Sequence, residues 1–161
     1  MNSRTQDVLK ELLTGQRVMA LGVLVDGAPY VGMLPFALHP GYTALLVQAS
    51  DLARHSRGLA DGARFSALIQ EPDQPGLNPA ELQRITLEGT VRRLERGSVE
   101  YATARDVYEK KFPESKRLFQ MGDFNLYRLE IERGRLVAGF GDVHNVTRDE
   151  LARIGEHEQP A

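Results

Sequence analysis

Cysteine and tryptophan are both absent from the 161-residue sequence. Without cysteine the chain forms no disulfide, carries no thiolate nucleophile, and binds neither zinc nor an iron–sulfur cluster through sulfur. No apolar run approaches the roughly 20 residues that span a bilayer, and the first residues lack the apolar stretch of a secretory signal. These absences exclude several enzyme classes and predict a cytoplasmic protein with no membrane segment.

The charge of the chain is also small, with a net charge of −2 at pH 7 and a pI near 6.1. Such a chain has no broad basic field for nucleic acid, and its lysines and arginines between residues 92 and 117 are interspersed with acids. A hydrophobic content of 42% with 26% charged residues is ordinary for a globular protein. We therefore predict one domain over residues 1–161, with no nucleic-acid partner.

Hydrophobic spacing divides the chain into strands with a few helices. A helix capped by Ser3 is predicted over residues 1–16, an exposed proline-rich loop over 71–80, and a helix or tail over 147–161. Asp26-Gly27 is a tight-turn signal, and Gly134 is predicted to be a second turn. The strand segments are 18–25, 28–38, 43–49, 65–70, 84–92 and 123–131, the last turning into 135–140. This order predicts a mainly β (β+α) fold, a barrel of about six antiparallel strands with peripheral helices.

The stretch that is richest in hydrogen-bond donors follows the third strand. Ser50 and Asp51 have the character of a helix N-cap, and His55, Ser56 and Arg57 follow within two turns. Free amides at a helix start attract anions, and these three side chains suit phosphate oxygens. The Asp51 carboxylate would repel a phosphate unless it turned away or capped the helix. The residues alone leave two interpretations open, an anion site and an ordinary capped surface helix.

Other chemistries find little support in the sequence. Gly139-Phe140-Gly141 begins like a dinucleotide fingerprint but lacks its third glycine and the preceding βαβ unit. No Gly-x-Ser-x-Gly elbow is present, so catalytic residues remain unassigned. A metal site is not predicted, because the histidines lack the i, i+4 spacing of a helical metal pair; they are His39, His55, His144 and His157.

Several segments together resemble a known family. They are Pro29 to Ala37, Ser50 to Arg57, Arg84 to Gly89, Asp123 to Tyr127, and Gly139-Phe140-Gly141. In this order they resemble the pyridoxamine 5′-phosphate oxidase-like family of FMN-binding split barrels. The Ser50 segment and the late Gly-Phe-Gly are most similar to the haem-utilisation branch, where threonine is usual at the position of Ser56.

The resemblance implies a six-stranded split barrel that forms a homodimer with FMN at the subunit interface. In the matching positions, Met33, Leu34 and Pro35 would flank the flavin, and Arg84 would meet the phosphate or the ring edge. Phe140 and Gly141 would close the pocket. The phosphate would lie among Ser50, Arg54, His55 and Ser56. The tryptophan-rich signature of true oxidases is missing, so oxidation of pyridoxamine phosphate is not expected.

The sequence therefore favours an FMN-dependent oxidoreductase with an unknown substrate. One alternative is a haem-binding or haem-utilisation protein, in which His144 or His157 ligates the iron, since haem needs only one axial imidazole. A non-catalytic flavin-binding module and a plain β-barrel interaction domain are further alternatives.

Overall fold

Eight antiparallel strands form one curled sheet in the computed structural model, which describes residues 1–157. The strands are β1 (Val18–Val25), β2 (Ala28–Pro35), β3 (Ala37–Leu38), β4 (Ala44–Ser50), β5 (Arg64–Gln70), β6 (Arg84–Arg93), β7 (Phe124–Gly139) and β8 (Asp142–Thr147). Their order is β2-β1-β5-β6-β7-β4-β3, and β8 pairs with the second half of β7. The predicted mainly β split-barrel fold with peripheral helices is confirmed, with eight strands in place of six.

Two strand boundaries differ from the prediction. The segment 28–38 breaks at Phe36, whose ring is fully buried, and β3 then pairs with β4. The predicted turn at Gly134 is wrong, because β7 continues through it and the hairpin turn falls at Phe140 and Gly141. A Cβ at Gly134 would lie 2.9 Å from Leu87 Cδ2, so this glycine permits close packing against β6.

Three α-helices surround the sheet, α1 (Ser3–Gly15), α2 (Val99–Lys111) and α3 (Arg148–Glu156). The cap of α1 is Asn2 and not Ser3, since the Asn2 side chain accepts from the Thr5 amide. Thr147 and Glu150 form a capping box at α3, and residues 158–161 of the predicted tail lie outside the described residues. Within residues 1–157 no helix combines the length and the apolar character needed to cross a membrane.

The sheet is covered on both sides, but not completely. Leu9, Leu12 and Leu13 of α1 are buried in the main core against the inner sheet face. A second cluster lies beneath α2, where Tyr108 packs with residues that include Phe112. Within residues 1–157, the outer face of β1 and β2 has no such cover and carries exposed apolar side chains.

Glu130 of β7 is the centre of an ion-pair network that joins four elements. Its carboxylate lies 2.5 Å from Arg128 Nε, 3.1 Å from an Arg148 nitrogen and 3.5 Å from an Arg92 nitrogen. Arg92 and Arg128 also contact Glu100 of α2. The network therefore ties α2 and the start of α3 to the sheet through β6 and β7.

We expect Glu130→Gln to lower the free energy of unfolding by about 2 kcal/mol, because it leaves partly buried guanidinium groups without their shared carboxylate. Glu132→Gln is the matched control, since the partner of Glu132 in the part of the chain that the structure describes is Arg64, on an exposed surface. This substitution should cost about 0.5 kcal/mol or less. Urea unfolding of both variants measures the difference. Equal losses would show that the network adds nothing beyond a surface ion pair.

Candidate functional site

The Ser50 turn, residues 50–58, is held by its own hydroxyl groups. The predicted α-helix after Ser50 is wrong, because only a five-residue 3-10 helix, Arg54–Gly58, follows. Ser50 Oγ donates to Asp123 Oδ2 at 2.6 Å and accepts from the Leu52 amide at 3.1 Å. Ser56 Oγ donates to the Ser50 carbonyl at 2.6 Å. Both predicted phosphate donors, Ser50 and Ser56, thus give their hydroxyl protons to protein acceptors and shape the turn.

Asp51 is held by a polar contact that the sequence reasoning missed. Asn125, buried on β7, donates to Asp51 Oδ1 at 2.6 Å and accepts from an Arg93 guanidinium nitrogen at 2.6 Å. The Asp51 carboxylate is therefore fixed by an amide, without capping a helix. The available signal was the pair of polar residues, Asp123 and Asn125, at the start of an otherwise apolar strand.

Arg54 is the uncommitted cation of the turn. Its guanidinium carbon lies 5.2 Å from the centroid of the Tyr30 ring, and within residues 1–157 it has neither a hydrogen bond nor an ion pair. Arg57, three residues later, is instead bound to Asp26 through contacts of 2.8 and 2.6 Å. Arg54 therefore keeps its donors free for an anion.

His55 is a half-buried imidazole in the same turn. Burial lowers its pKa, so the ring is neutral at pH 7, and no hydrogen bond to either ring nitrogen is found in the described chain. Gly32 of β2 makes room for it, since a Cβ there would lie 3.2 Å from His55 Nδ1. A neutral imidazole beside a free guanidinium can ligate a metal ion while the cation holds an anionic group.

The outer face of β1 and β2 is the second part of the site. Met33 is 68% exposed and Val31 is 65% exposed, whereas Leu34 is 2% exposed and points into the core. Of the three residues predicted to flank a flavin, Met33 and Pro35 therefore present side chains outward, and Leu34 presents only its main chain.

An outer groove of about 390 Å³ runs along this face. It is lined mainly by apolar atoms, with arginines and a glutamate at its rim; the residues are Gly22, Val23, Leu24, Pro29, Tyr30, Val31, Arg64, Phe65, Ser66, Glu88 and Arg133. Tyr30 borders both parts of the site, since it lines the groove and its ring supports Arg54, but that ring packs against the core, on the opposite face of β2 from Val31 and Met33.

The remaining predicted residues lie apart from the Ser50 turn. One guanidinium nitrogen of Arg84 donates to the Ala80 and Leu82 carbonyls at 3.2 and 2.8 Å. Phe140 is 87% exposed at the tip of the β7–β8 hairpin, and Gly141 adopts a φ of +72° in that turn. The described chain does not bring Arg84, Phe140 and Gly141 into contact with Arg54 or His55, so their role at the site stays a prediction.

The other histidines have different surroundings. His144 Nε2 lies 2.5 Å from Asp142 Oδ1, and His157 is exposed at the end of α3. His39 Nδ1 accepts from the Gly41 amide at 3.1 Å. No group of three potential metal-ligating side chains occurs within residues 1–157, although ligation of haem iron requires only one.

The buried histidines predict a loss of stability in mild acid. Burial lowers the pKa of His55, and burial followed by the charge of Arg128 lowers the pKa of His39, which also faces Glu130, Glu100 and Arg148. Each histidine binds its proton more readily in the unfolded chain, so its contribution is full above the unfolded pKa of 6.5 and is lost below it.

We expect Tm to fall as the pH is lowered from about 7 through the unfolded histidine pKa of 6.5. The Tm of the double variant His39→Asn/His55→Asn should fall less over the same pH range, since asparagine does not titrate. Differential scanning calorimetry at several pH values gives the comparison. A Tm that rises below pH 6.5 would reverse the sign and refute this account.

Comparison with known proteins adds independent information. The family model described as CREG, beta-barrel matches residues 22–152. Heme oxygenase HutZ of Vibrio cholerae is 28% identical over 154 residues, which are 94% of this chain and 86% of HutZ. HutZ from Vibrio cholerae, described as a heme storage protein, also has a crystal structure. It aligns with this chain at a TM-score of 0.72 and 25% identity, covering 80% of this chain and 91% of that chain.

Two further structures show the same fold. A heme binding protein from Mycobacterium smegmatis aligns with a TM-score of 0.81 and 28% identity over 95% of this chain, which spans only 61% of that longer chain. A protein of the pyridoxinephosphate oxidase family from Clostridium acetobutylicum aligns with a TM-score of 0.63 at 14% identity, covering 91% of this chain and 98% of that one. The resemblance to split barrels near the haem-utilisation branch is confirmed.

Proposed function

Because the chain belongs to the CREG β-barrel family, we propose that it binds haem and serves in haem utilisation, at the Ser50 turn and the outer groove. The observation that carries this proposal is that the free Arg54 guanidinium and the neutral, unbonded His55 imidazole lie against Tyr30 and Gly32, two neighbouring positions on one face of β2. The names of the relatives, a heme oxygenase or heme storage protein and a heme binding protein, favour haem over other flat anionic ligands.

The residues of this site fit the chemistry of haem. Haem combines a flat apolar ring, two propionate carboxylates and an iron that accepts an imidazole nitrogen. Arg54 offers donors for a carboxylate and His55 offers a neutral ring nitrogen, both next to the core-facing positions Tyr30 and Gly32 of β2. Val31 and Met33 offer apolar surface on the opposite face of the same strand, where a partner protomer would meet it. Bound haem would supply the iron-centred redox chemistry, whereas these side chains would bind and orient it.

We further propose that two copies of the chain form a homodimer over the outer face of β1 and β2. Ligand pockets bury most of their ligand, and an open groove on one chain does not. Exposed apolar side chains on one sheet face indicate an interaction surface; here they are Val18, Leu24, Val31 and Met33. In such a dimer the partner would cover the groove, and its Phe140 hairpin and Arg84 are the candidates for closing it.

An FMN-dependent oxidoreductase is the second candidate function. A planar guanidinium such as that of Arg54 pairs with a phosphate through two parallel hydrogen bonds, and FMN also has a flat ring for the apolar face. This candidate function predicts a purified protein that is yellow from bound flavin and that turns over with NAD(P)H. Haem storage or transfer predicts haem binding without turnover.

The ligating histidine can be identified with single alanine variants of His55, His144 and His157, each reconstituted with haem. We expect His55→Ala to change the Soret maximum and the ferric EPR signal, and imidazole added to the buffer should restore them. The other two variants should keep the wild-type spectra. If the spectra changed only in His144→Ala or only in His157→Ala, that histidine would be the iron ligand, and the proposed role of His55 would be wrong.

A further inference from the structure

Lys111, the last residue of α2, has surroundings that are unusual for a lysine. Its Nζ donates to the Gln16 carbonyl at 2.6 Å and lies 4.3 Å from the centroid of the fully buried Phe36 ring. Within the described chain, the charged side chain that perturbs it is a second cation, Arg17. The amine is therefore partly shielded from water, with no carboxylate among residues 1–157 found to balance its charge.

These surroundings favour the neutral amine. Burial, followed by the charge of Arg17, lowers the pKa of Lys111 to about 8. The Phe36 ring and the Gln16 carbonyl stabilise the ammonium form, but they offset burial only in part. At pH 7.5 about a quarter of the molecules then carry a neutral Lys111, against about one in a thousand for a lysine of ordinary pKa.

A cavity of about 470 Å³ borders Lys111. Its lining is largely apolar and consists of Leu13, Thr14, Ala37, Leu38, Val107, Lys110 and Lys111. The volume suits a small organic molecule and is too small for an acyl group together with its carrier. Lys110 borders the same cavity but is exposed, so the two neighbouring lysines differ mainly in burial.

We propose that Lys111 is a nucleophilic amine that takes a small apolar aldehyde as a Schiff base, with the hydrocarbon part of the aldehyde in this cavity. The nitrogen lone pair attacks the carbonyl carbon and a C–N bond forms. Both amine hydrogens leave with the carbonyl oxygen as water, which gives the imine without any exchange of electrons. The site is separate from the Ser50 turn and does not require haem.

Reductive trapping tests the proposal on the purified full chain. The protein is incubated with benzaldehyde or formaldehyde and cyanoborohydride between pH 6.5 and 10, and peptide mass spectrometry measures modification at each lysine. We expect benzaldehyde to modify Lys111 at least about tenfold faster than Lys110 at pH 7.5, with a rate midpoint near pH 8. Lys111→Arg should remove this fast modification, whereas Lys110→Arg should leave it unchanged.

The role of the cavity is tested by competition in the wild-type protein. Benzyl alcohol forms no imine but should occupy the cavity. It should therefore slow the modification of Lys111 by benzaldehyde several-fold and leave its modification by formaldehyde unaffected. Leu38→Phe, which narrows the cavity, should act in the same way. The proposal is overturned if Lys111 reacts no faster than Lys110, if its rate midpoint lies at pH 10 or above, or if benzyl alcohol slows neither aldehyde.

Discussion

Met33→Asp is expected to convert the proposed dimer into a monomer. Met33 lies at the centre of the exposed apolar face, across the β1–β2 ladder from Ala20 and two residues from Val31. A carboxylate there would have to leave water on association without a described cation to pair with it, at a cost of several kcal/mol. Sedimentation velocity or light scattering at micromolar concentration distinguishes monomer from dimer.

Val99→Asp is the control for this variant. Val99 is an exposed valine that does not line the outer groove, and it is the first residue of α2, a position where aspartate is favourable for the helix. This variant should remain dimeric. A wild-type monomer, or a Met33→Asp protein that stays dimeric, would mean that the two copies do not meet through this face.

The same Met33→Asp variant should bind haem more weakly than the wild type. A monomer would expose the ligand to water on one side, which removes much of the apolar contact that holds it. Haem affinity and oligomeric state should therefore change together in Met33→Asp and remain unchanged in Val99→Asp. If a monomeric variant bound haem with the wild-type affinity, haem binding would not depend on the dimer, and the proposed pocket shared by two protomers would be wrong.

Arg54→Ala is expected to weaken haem binding by about 10- to 150-fold, because loss of a charge-assisted hydrogen bond costs about 1.5–3 kcal/mol. The folded state should be little affected, since Arg54 makes only the Tyr30 ring contact within the described chain. Haem titration followed by absorbance, with thermal unfolding of each sample, measures both effects. The haem affinity of Arg54→Lys should lie between those of the wild type and Arg54→Ala, because lysine keeps the charge without the planar guanidinium.

Arg57→Ala provides a matched control in the same 3-10 helix. The Arg57 guanidinium is already bound to Asp26 at an exposed position, so its loss should leave haem affinity within about twofold of wild type. If the two alanine variants weaken haem equally, general electrostatic attraction explains the effect. If neither weakens haem, the anionic groups lie away from the Ser50 turn.

Local patterns in the sequence were sufficient for much of the sheet. The Asp26-Gly27 turn is confirmed, with φ of +52° and +76° at the two residues, and it joins β1 to β2 in the predicted hairpin. The alternation in β6 is also confirmed, with Ile85 and Leu87 buried and their neighbours partly exposed. In both cases the information is local, in a turn or in the period of a strand.

The errors arise where distant residues decide the structure. The helix expected after Ser50 does not form because Asp123 and Asn125, more than 70 residues later, bind Ser50 and Asp51. Gly134 looked like a turn, but the packing of Leu87 against it from β6 accounts for the glycine. Neither partner can be identified from a window of neighbouring residues.

The candidate site shows the same division. The sequence pattern identified His55 and the family resemblance added Arg54, and the structure leaves both without a hydrogen-bonding partner within residues 1–157. Arg57, which the pattern also identified, is instead bound to Asp26. The pattern could not show that the hydroxyl groups of Ser50 and Ser56 bond within the protein, since those bonds depend on the folded turn. The serines therefore position the cation and the imidazole, and these two remain the candidates for ligand contact.

Titration of the purified protein with haem, followed by its absorbance spectrum, tests the central claim most directly. We predict a shifted Soret band that saturates at one haem per protomer and weakens in Arg54→Ala but not in Arg57→Ala. A spectrum that stays that of free haem at saturation, while FMN binds at one per protomer, would contradict haem binding and support the flavin alternative.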